Sequence, residues 1–148
     1  GTPAWMAPEQ ARGGTESLDE RTDVHALGAI LFFLLTGEPP SRAETPAEAL
    51  AAFEAAGPPS PRRRDPSVPR PLDAVCRRAM ALDPRDRYAG AAELGRELDL
   101  YLEGLPPESY REGPLERAGR WARKYRTAIL LVAAYLVMRV ALILWTGR

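Results

Sequence analysis

The feature that most limits how this chain folds is residues 23–37, Asp-Val-His-Ala-Leu-Gly-Ala-Ile-Leu-Phe-Phe-Leu-Leu-Thr-Gly, which would be apolar on every side of a helix. A helix that has no polar face is buried all round. The run offers about a dozen apolar residues, whereas ~20 are needed to cross a bilayer. We therefore predict the central helix of a helix-rich domain, beginning at Thr22 or Asp23 and ending at Gly37, with other elements packed around it.

The composition fits one domain and excludes several functions. A chain of 148 residues that is 45% hydrophobic can bury a core. Basic and acidic residues are equal at 20 each, so no overall charge favours nucleic acid, and none is predicted as a partner. One cysteine, Cys76, excludes an internal disulfide, and with a single histidine, His25, no metal site is expected. We interpret Cys76 as an inert core thiol and His25 as a packing residue.

Periodicity and turn residues predict further helices at residues 7–12, 46–56, 71–82 and 90–103. The second of these starts with a capping box formed by Thr45 and Glu48, with Pro46 at its first position. Residues 58–71 hold six prolines and three consecutive arginines, which predicts an extended, solvated loop. No stretch alternates in polarity as a strand does, so the domain is predicted to be all-α.

Three motifs, in this order and at these spacings, resemble the C-terminal lobe of the eukaryotic-like serine/threonine protein kinases. The sequences of residues 72–80 and 91–102 resemble the bacterial receptor-type members of this family. The first motif resembles the end of the activation segment, the second the large central helix with the turn after it, and the third the turn before the last helix. They are Gly1-Thr2-Pro3-Ala4-Trp5-Met6-Ala7-Pro8-Glu9; Asp23-Val24-His25-Ala26-Leu27-Gly28 with Leu34-Leu35-Thr36-Gly37-Glu38-Pro39-Pro40; and Asp83-Pro84-Arg85-Asp86-Arg87-Tyr88. The resemblance covers residues 1–104 and implies the helical C-lobe portion of the protein-kinase-like fold.

The resemblance also implies roles for individual residues. Glu9 is expected to pair with Arg87, and Asp23 to accept hydrogen bonds from the backbone of the catalytic loop. The Thr2 hydroxyl is expected to help favour serine or threonine substrates over tyrosine. His25 and Ala26 depart from the aromatic residue and the serine usual at those positions. The implied substrate-binding loop is Gly1, Thr2, Pro3, Ala4, Trp5 and Met6, and the implied structural support of the active site is Ala7, Pro8, Glu9, Asp23 and Arg87.

Several kinase motifs do not occur in this sequence: the glycine-rich loop, the strand lysine, the His-Arg-Asp catalytic loop and the Asp-Phe-Gly metal ligand. No catalytic, cofactor-binding or metal-binding residue is therefore assigned here, and ATP and Mg²⁺ are expected on a missing part of the kinase. The first residues read as mid-domain sequence, so we expect a fragment that is inactive alone and folds poorly alone. We predict that it supplies substrate-loop and scaffold elements to a kinase acting on protein substrates. The alternative is a non-catalytic, membrane-anchored pseudokinase remnant or scaffold that binds protein partners.

The C-terminal part has the pattern of a membrane anchor. Residues 105–126 are predicted to form a basic juxtamembrane linker, and residues 127–146 a single transmembrane helix in contact with membrane lipid. The basic residues lie on the kinase side, so the positive-inside rule places the kinase portion in the cytoplasm. The basic residues are Arg117, Arg120, Arg123, Lys124 and Arg126, against the single acid Glu116, and the flanking aromatics are Trp121, Tyr125 and Trp145.

Arg139 is the objection to a membrane span. A mid-span arginine costs about 2.5 to 3.5 kcal/mol on insertion scales. Nine or so leucine, isoleucine and valine residues, each favourable by about 0.3 to 0.6 kcal/mol, narrowly outweigh that cost. A buried or interfacial helix is the alternative. Arg139 could also pair in an oligomer, so a homodimer stays open.

Overall fold

The computed structural model describes residues 3–13 and 19–146, and this part of the chain is helical, with no strand. The predicted all-α class is confirmed for it. Two compact units, Gly1–Arg111 and Glu112–Arg148, are described separately below. The sequence-based domain limits at residues 1–104, 105–126 and 127–146 stay a prediction. The described α-helices are α1 (Pro8–Ala11), α2 (Glu20–Thr36), α3 (Pro46–Ala56), α4 (Pro61–Arg64), α5 (Arg70–Ala79), α6 (Ala91–Leu102), α7 (Pro114–Lys124) and α8 (Arg126–Thr146), with 3-10 turns at Pro3–Trp5 and Pro84–Asp86.

Helix α2 begins at Glu20, two or three residues before the predicted start at Thr22 or Asp23. Its N-cap is Asp19, whose carboxylate accepts a hydrogen bond of 2.9 Å from the backbone N–H of Arg21. Thr22 and Asp23 lie within the first turn instead, where the Asp23 carboxylate still faces the positive end of the helix dipole. The predicted end is confirmed, since Gly37 adopts a φ of 72° and closes the helix in the left-handed conformation.

One face of α2 is buried and the other is open. Val24, Ala29 and Phe32 are fully buried. On the opposite face Leu27, Ile30, Phe33 and Leu34 are 38, 49, 43 and 74% exposed. These four residues follow helical spacing along one side, and we call them the open stripe. The prediction that α2 is buried all round is wrong for the described chain, because the elements that pack against it cover one side.

The core of the first unit lies where α5 and α6 pack against α2. Cys76 is fully buried, and its Sγ donates to the carbonyl oxygen of Gly28 at 3.5 Å. Burial raises the pKa of the Cys76 thiol to about 12, which fits the predicted inert thiol. Two clusters make up the core: Val24, Val75, Ala79, Tyr88 and Leu94; and Ala29, Phe32, Phe53, Cys76 and Met80.

The contact between α2 and α5 depends on Gly28. A Cβ atom added there would lie 2.7 Å from Cγ of Met80 and 2.8 Å from Cβ of Ala79. We expect Gly28→Ala to lower the free energy of unfolding by about 1–3 kcal/mol, because overpacking outweighs the better helix propensity of alanine. Urea unfolding of the intact protein measures this. Gly95→Ala on α6, where an added Cβ meets nothing within 4 Å, is the matched control. A wild-type urea midpoint for Gly28→Ala would contradict the prediction.

The helix predicted at residues 46–56 is confirmed as α3. The Thr45 hydroxyl accepts from the backbone N–H of Glu48 at 3.3 Å, and Gly57 follows the last turn with a φ of 69°. The helices predicted at residues 71–82 and 90–103 are present as α5 and α6, and α5 ends three residues early.

The predicted extended loop at residues 58–71 is wrong where α4 forms one helical turn. Asp73 of α5 causes this, since its carboxylate accepts from the hydroxyl of Ser60 at 2.6 Å and from the backbone N–H of Arg62 at 2.9 Å. The Arg62 side chain also donates to the carbonyl oxygen of Val68. The turn is therefore held by a carboxylate distant in sequence, which loop composition does not reveal.

The second unit contains α7 and α8. The linker was predicted at residues 105–126, and helix α7 forms most of its second half. Helix α8 covers the helix predicted at residues 127–146. Glu112 accepts two hydrogen bonds from the guanidinium of Arg120, at 2.9 and 2.6 Å. Within the described residues, no single helix meets the length and composition that crossing a bilayer requires. The segments Pro114–Ala122 and Arg126–Leu142, bent by 71° relative to each other, meet them only as a pair.

Candidate functional site

Glu9 and Arg87 form a buried bidentate ion pair between residues 78 positions apart. Nη1 of Arg87 lies 2.7 Å from Oε1 of Glu9, and Nη2 lies 2.8 Å from Oε2. The side chain of Arg87 is 0% exposed and that of Glu9 is 6% exposed. Parallel charge-assisted bonds of this kind are among the strongest polar contacts in proteins. The contact expected between these two residues is therefore present, and it joins the α1 segment to the turn that precedes α6.

The surroundings satisfy both partners of this pair. Arg87 also donates through Nε to the carbonyl oxygen of Ala81 at 2.8 Å and through Nη1 to that of Arg21 at 3.0 Å. The hydroxyl of Thr22 donates to Oε1 of Glu9 at 2.9 Å. A buried ion pair is stable only when the remaining donors and acceptors find partners, as they do here.

Electrostatics keep Glu9 ionised. Burial alone would raise the pKa of the Glu9 carboxyl, but the hydrogen bonds and charge of Arg87, a backbone hydrogen bond and the Thr22 hydroxyl outweigh burial and hold this pKa below its ordinary value. The unfolded chain therefore binds a proton at Glu9 more readily than the folded one does. The pair stabilises the fold above the ordinary glutamate pKa, and this stabilisation is lost as the pH falls through the lowered pKa.

Short turns with recognisable sequence signals position Glu9 and Arg87. Pro8 fits the first position of α1, and the backbone N–H of Ala7 donates to Oε1 of Gln10 at 3.0 Å. Arg87 directly follows the 3-10 turn Pro84–Asp86, which Asp83 caps by accepting from the backbone N–H of Arg85 at 2.9 Å. Both ends therefore lie beside short turns, each stabilised by a side-chain hydrogen bond to a backbone N–H.

The predicted substrate loop is described only in part. Pro3, Ala4 and Trp5 form one 3-10 turn, and the Trp5 ring lies 5.7 Å from that of Phe33. Ala7 and Pro8 are buried. Gly1 and Thr2 lie outside the described residues. The roles assigned to this loop stay predictions.

Asp23 does not share the Glu9–Arg87 contact. It is exposed in the first turn of α2, on the same side of the helix as the open stripe. In the part of the chain that the structure describes, its carboxylate has no hydrogen-bond partner. Its predicted role toward a catalytic loop is likewise untested.

His25 lies in the core next to the ion pair. It is 1% exposed, its ring centre is 5.4 Å from that of Phe53, and within the described chain neither ring nitrogen has a hydrogen-bond partner. Burial, followed by the charge of Arg87, lowers the pKa of His25 to about 4, and the charge of Glu9 opposes this only in part. The imidazole is therefore neutral at physiological pH, which agrees with the packing role expected of it.

Sequence reasoning missed two residues that organise this unit. Thr22 was expected to cap α2 and instead bonds Glu9. Glu97, only 3% exposed, accepts hydrogen bonds from the backbone N–H groups of Glu108 and Ser109 at 2.9 and 3.0 Å, and from the hydroxyl of Tyr88 at 3.3 Å. We call this the Glu97 clamp. Both contacts join residues distant in sequence, and nothing in the local pattern signals them.

Metal-ligating clusters and surface pockets were compared with the predicted site residues. Across residues 3–13 and 19–146, no group of three or more histidine, cysteine, aspartate or glutamate side chains is placed to hold a metal ion. A surface pocket of about 310 Å³ is lined by residues of α6 and by Glu108. A second pocket of about 270 Å³ is lined by residues of α2, α3, α4 and nearby loops. Neither pocket is lined by a predicted site residue.

Comparison with known proteins identifies the family. No family model matches the chain. It is 39% identical over 109 residues to serine/threonine-protein kinase PknB of Mycobacterium leprae, a match that covers 74% of this chain and 17% of that protein. It is 38% identical over 118 residues to a probable serine/threonine-protein kinase PknB of Bifidobacterium longum, covering 78% and 16%. It is 37% identical over 147 residues to serine/threonine-protein kinase PknF of Mycobacterium tuberculosis, covering 95% and 30%.

These matches cover most of this chain and a minor part of each kinase. The chain belongs to the bacterial serine/threonine protein kinases, and it matches a part of their C-terminal lobe. It spans less than a third of the length of the curated relatives it matches.

Proposed function

We propose that this chain is the substrate-side part of the C-terminal lobe of a membrane-anchored serine/threonine protein kinase, which transfers the γ-phosphoryl group of ATP to serine or threonine of protein substrates. The observation that carries the proposal is the buried Glu9–Arg87 pair. It ties the segment resembling the end of the activation segment to the helical core, as the kinase resemblance implies. The names of the relatives support the same reaction class.

Within this proposal the chain positions the protein substrate and does not perform the chemistry. The pair fixes Ala7, Pro8 and Glu9, and so the residues just before them, Pro3 to Met6, against the domain. The resemblance implies that the Thr2 hydroxyl helps favour serine or threonine substrates over tyrosine. ATP and Mg²⁺ bind to other parts of the kinase, where they supply the phosphoryl group and neutralise its charge.

Asp23 and the open stripe provide the surface for the catalytic loop. The stripe is apolar, exposed and adjacent to a carboxylate that has no partner in the described residues. A catalytic loop packed on this surface would cover the apolar side chains and donate its backbone N–H groups to Asp23. Asp23 is then a positioning residue, since it acts through the loop it holds.

We expect Asp23→Ala to lower phosphotransfer by the intact protein on the order of 100-fold, because small displacements of catalytic groups cost about that much. Thermal unfolding of the intact variant separates this loss of positioning from a loss of fold. Glu20→Ala removes another exposed carboxylate from the same helical turn and should leave activity unchanged. Wild-type activity of Asp23→Ala would contradict the assigned role.

The reaction class is tested by comparing two polypeptides. We expect the purified 148-residue chain to show no phosphotransfer from ATP, and the intact protein to phosphorylate a protein substrate on serine or threonine when Mg²⁺ is present. Turnover by the chain alone would overturn the assignment of the chemistry to other parts of the kinase. An inactive intact protein that nevertheless binds protein partners would replace this proposal by the scaffold alternative.

We further propose that residues 127–146 form a single-pass membrane anchor that leaves the kinase portion in the cytoplasm. Support comes from the continuous helix α8 and from its described apolar side chains, which are exposed, such as Leu130 at 62% and Val137 at 70%. The basic residues that precede α8 support the orientation. Carbonate extraction of membranes tests the anchor, because a spanning helix resists it and a peripheral one does not.

A further inference from the structure

Helix α7 separates its residues into an apolar side and a charged side. At 100° per residue, the apolar and small residues from 115 to 125 fall within an arc of about 160°. Glu116, Arg117 and Arg120 lie outside that arc. Leu115 and Trp121 are 87% and 60% exposed, so the apolar side is open. The residues on the apolar side are Leu115, Ala118, Gly119, Trp121, Ala122 and Tyr125.

The charge of this segment is strongly positive. Between residues 115 and 126 the sequence has five basic residues and one acid. Arg120 is bound by Glu112 in a bidentate ion pair. Arg117 is exposed, and no ion pair with it is formed in the described chain. Basic residues flanking an open apolar face are complementary to a surface that is anionic outside and apolar beneath.

The geometry between α7 and α8 gives α7 an orientation. The segments Pro114–Ala122 and Arg126–Leu142 are bent by 71°. If α8 follows the bilayer normal, α7 runs nearly parallel to the membrane plane. Trp121 and Tyr125, whose ring centres are 5.1 Å apart, then lie one turn before the span, at the depth where amphipathic aromatic rings are favoured.

We propose that α7 is an in-plane membrane helix that binds the headgroups of anionic phospholipids. Its apolar side, centred on Leu115, Ala118 and Ala122, lies at the boundary between headgroups and acyl chains. Arg117 and Arg120 contact the lipid phosphates. The inference rests on the membrane anchor proposed above, because α8 brings α7 to the bilayer.

The test measures how deeply two tryptophans enter lipid. The intact protein is reconstituted into vesicles of phosphatidylcholine alone, or of phosphatidylcholine with phosphatidylglycerol, that carry bromine either near the glycerol backbone or near the chain ends. The difference in fluorescence between the protein and its Trp121→Phe variant isolates Trp121, and Trp145→Phe isolates Trp145 in the same way. We expect shallow bromines to quench Trp121 about twofold in the phosphatidylglycerol vesicles and much less in phosphatidylcholine alone.

Two variants test the role of charge. Arg117→Gln combined with Arg120→Gln should remove about half of the Trp121 quenching. Glu112→Gln breaks the same ion pair with Arg120 but keeps the basic charge, and quenching should be undiminished. Equal loss in both variants would overturn the headgroup contact, since it would then reflect the fold of α7 alone.

The reporters separate failure of the inference from failure of the anchor. Quenching of Trp145 without quenching of Trp121 would leave the anchor intact and overturn the surface helix. Stronger quenching of Trp121 by deep bromines would place α7 within the span, and equal quenching in both lipid compositions would remove the preference for anionic lipid. If neither tryptophan is quenched, the anchor itself is wrong.

Discussion

Replacing Arg87 by alanine is expected to lower the free energy of unfolding by about 3–5 kcal/mol, because it leaves the Glu9 carboxylate buried without its partner. The backbone carbonyl oxygens of Ala81 and Arg21 lose a donor in the same step. Urea unfolding of the intact protein at neutral pH measures the change. The same variant should loosen the segment before Glu9, so we also expect reduced phosphorylation of a protein substrate.

A neighbouring arginine provides the control. Arg85 lies two residues away, its side chain is 82% exposed, and it pairs with Asp83 of the same turn. Exposed pairs contribute little, so Arg85→Ala should leave the urea midpoint unchanged. A double-mutant cycle of Glu9→Gln and Arg87→Met should show a coupling of about 0.5–3 kcal/mol. Additive effects, or an Arg87→Ala midpoint equal to that of Arg85→Ala, would contradict the assigned contact.

Acidification should destabilise the fold through His25. The folded protein holds its pKa at about 4, against an ordinary value of 6.5. Between these values the unfolded chain binds more protons than the folded one, so stability is complete above pH 6.5 and falls as the pH drops toward 4. The whole interval amounts to about 3 kcal/mol. Arg87 and Glu9 are the charged groups that act on the imidazole. The pKa of Glu9 is held below its ordinary value of 4.5, so the window from pH 6.5 to 5 lies above the titration of Glu9.

The matched variant is His25→Phe, which keeps an aromatic ring against Phe53 but cannot titrate. Its free energy of unfolding, measured in urea at several pH values, should be flat between pH 6.5 and 5, while that of the wild type falls. At pH 7.5 the variant should gain about 1–3 kcal/mol from removal of two buried nitrogens that have no hydrogen-bond partner among the described residues, less any cost of the larger ring. An unchanged pH slope in His25→Phe would show that another group is responsible.

Local signals predicted some elements of the fold better than others. Helix α3 was predicted with its correct ends, because Thr45, Pro46 and Gly57 are start and stop residues that act within one turn of the chain. The start of α2 was missed because Asp19 competes as a cap with Thr22 and Asp23, which are acceptable caps by residue type. Helix α4 was missed because Asp73, which accepts hydrogen bonds from its first turn, belongs to another helix.

The site shows the same division. The Glu9–Arg87 contact was expected from the kinase resemblance. The positions of the two residues in the sequence do not by themselves indicate that they pair. Thr22 and Glu97 bond groups that only the tertiary fold brings near. Helix α7 was taken for linker because Gly113 and Pro114 read as breakers, although a proline at the first helical position also starts helices. Apolarity alone could not show that the open stripe of α2 is uncovered, because burial depends on what else is present.

The Glu97 clamp limits how far the segment after α6 can extend. It holds the backbone of Glu108 and Ser109 against α6, and Pro107 beside them is buried. Residues 105–111, which were predicted to be part of a linker, are therefore not available as a flexible tether. Seven residues at up to about 3.6 Å each would span about 25 Å if they were extended, and this length is not available as a flexible tether. If the C-terminal helix anchors the protein as proposed, the volume that the kinase portion searches is smaller, and its effective concentration toward substrates on the same membrane is correspondingly higher.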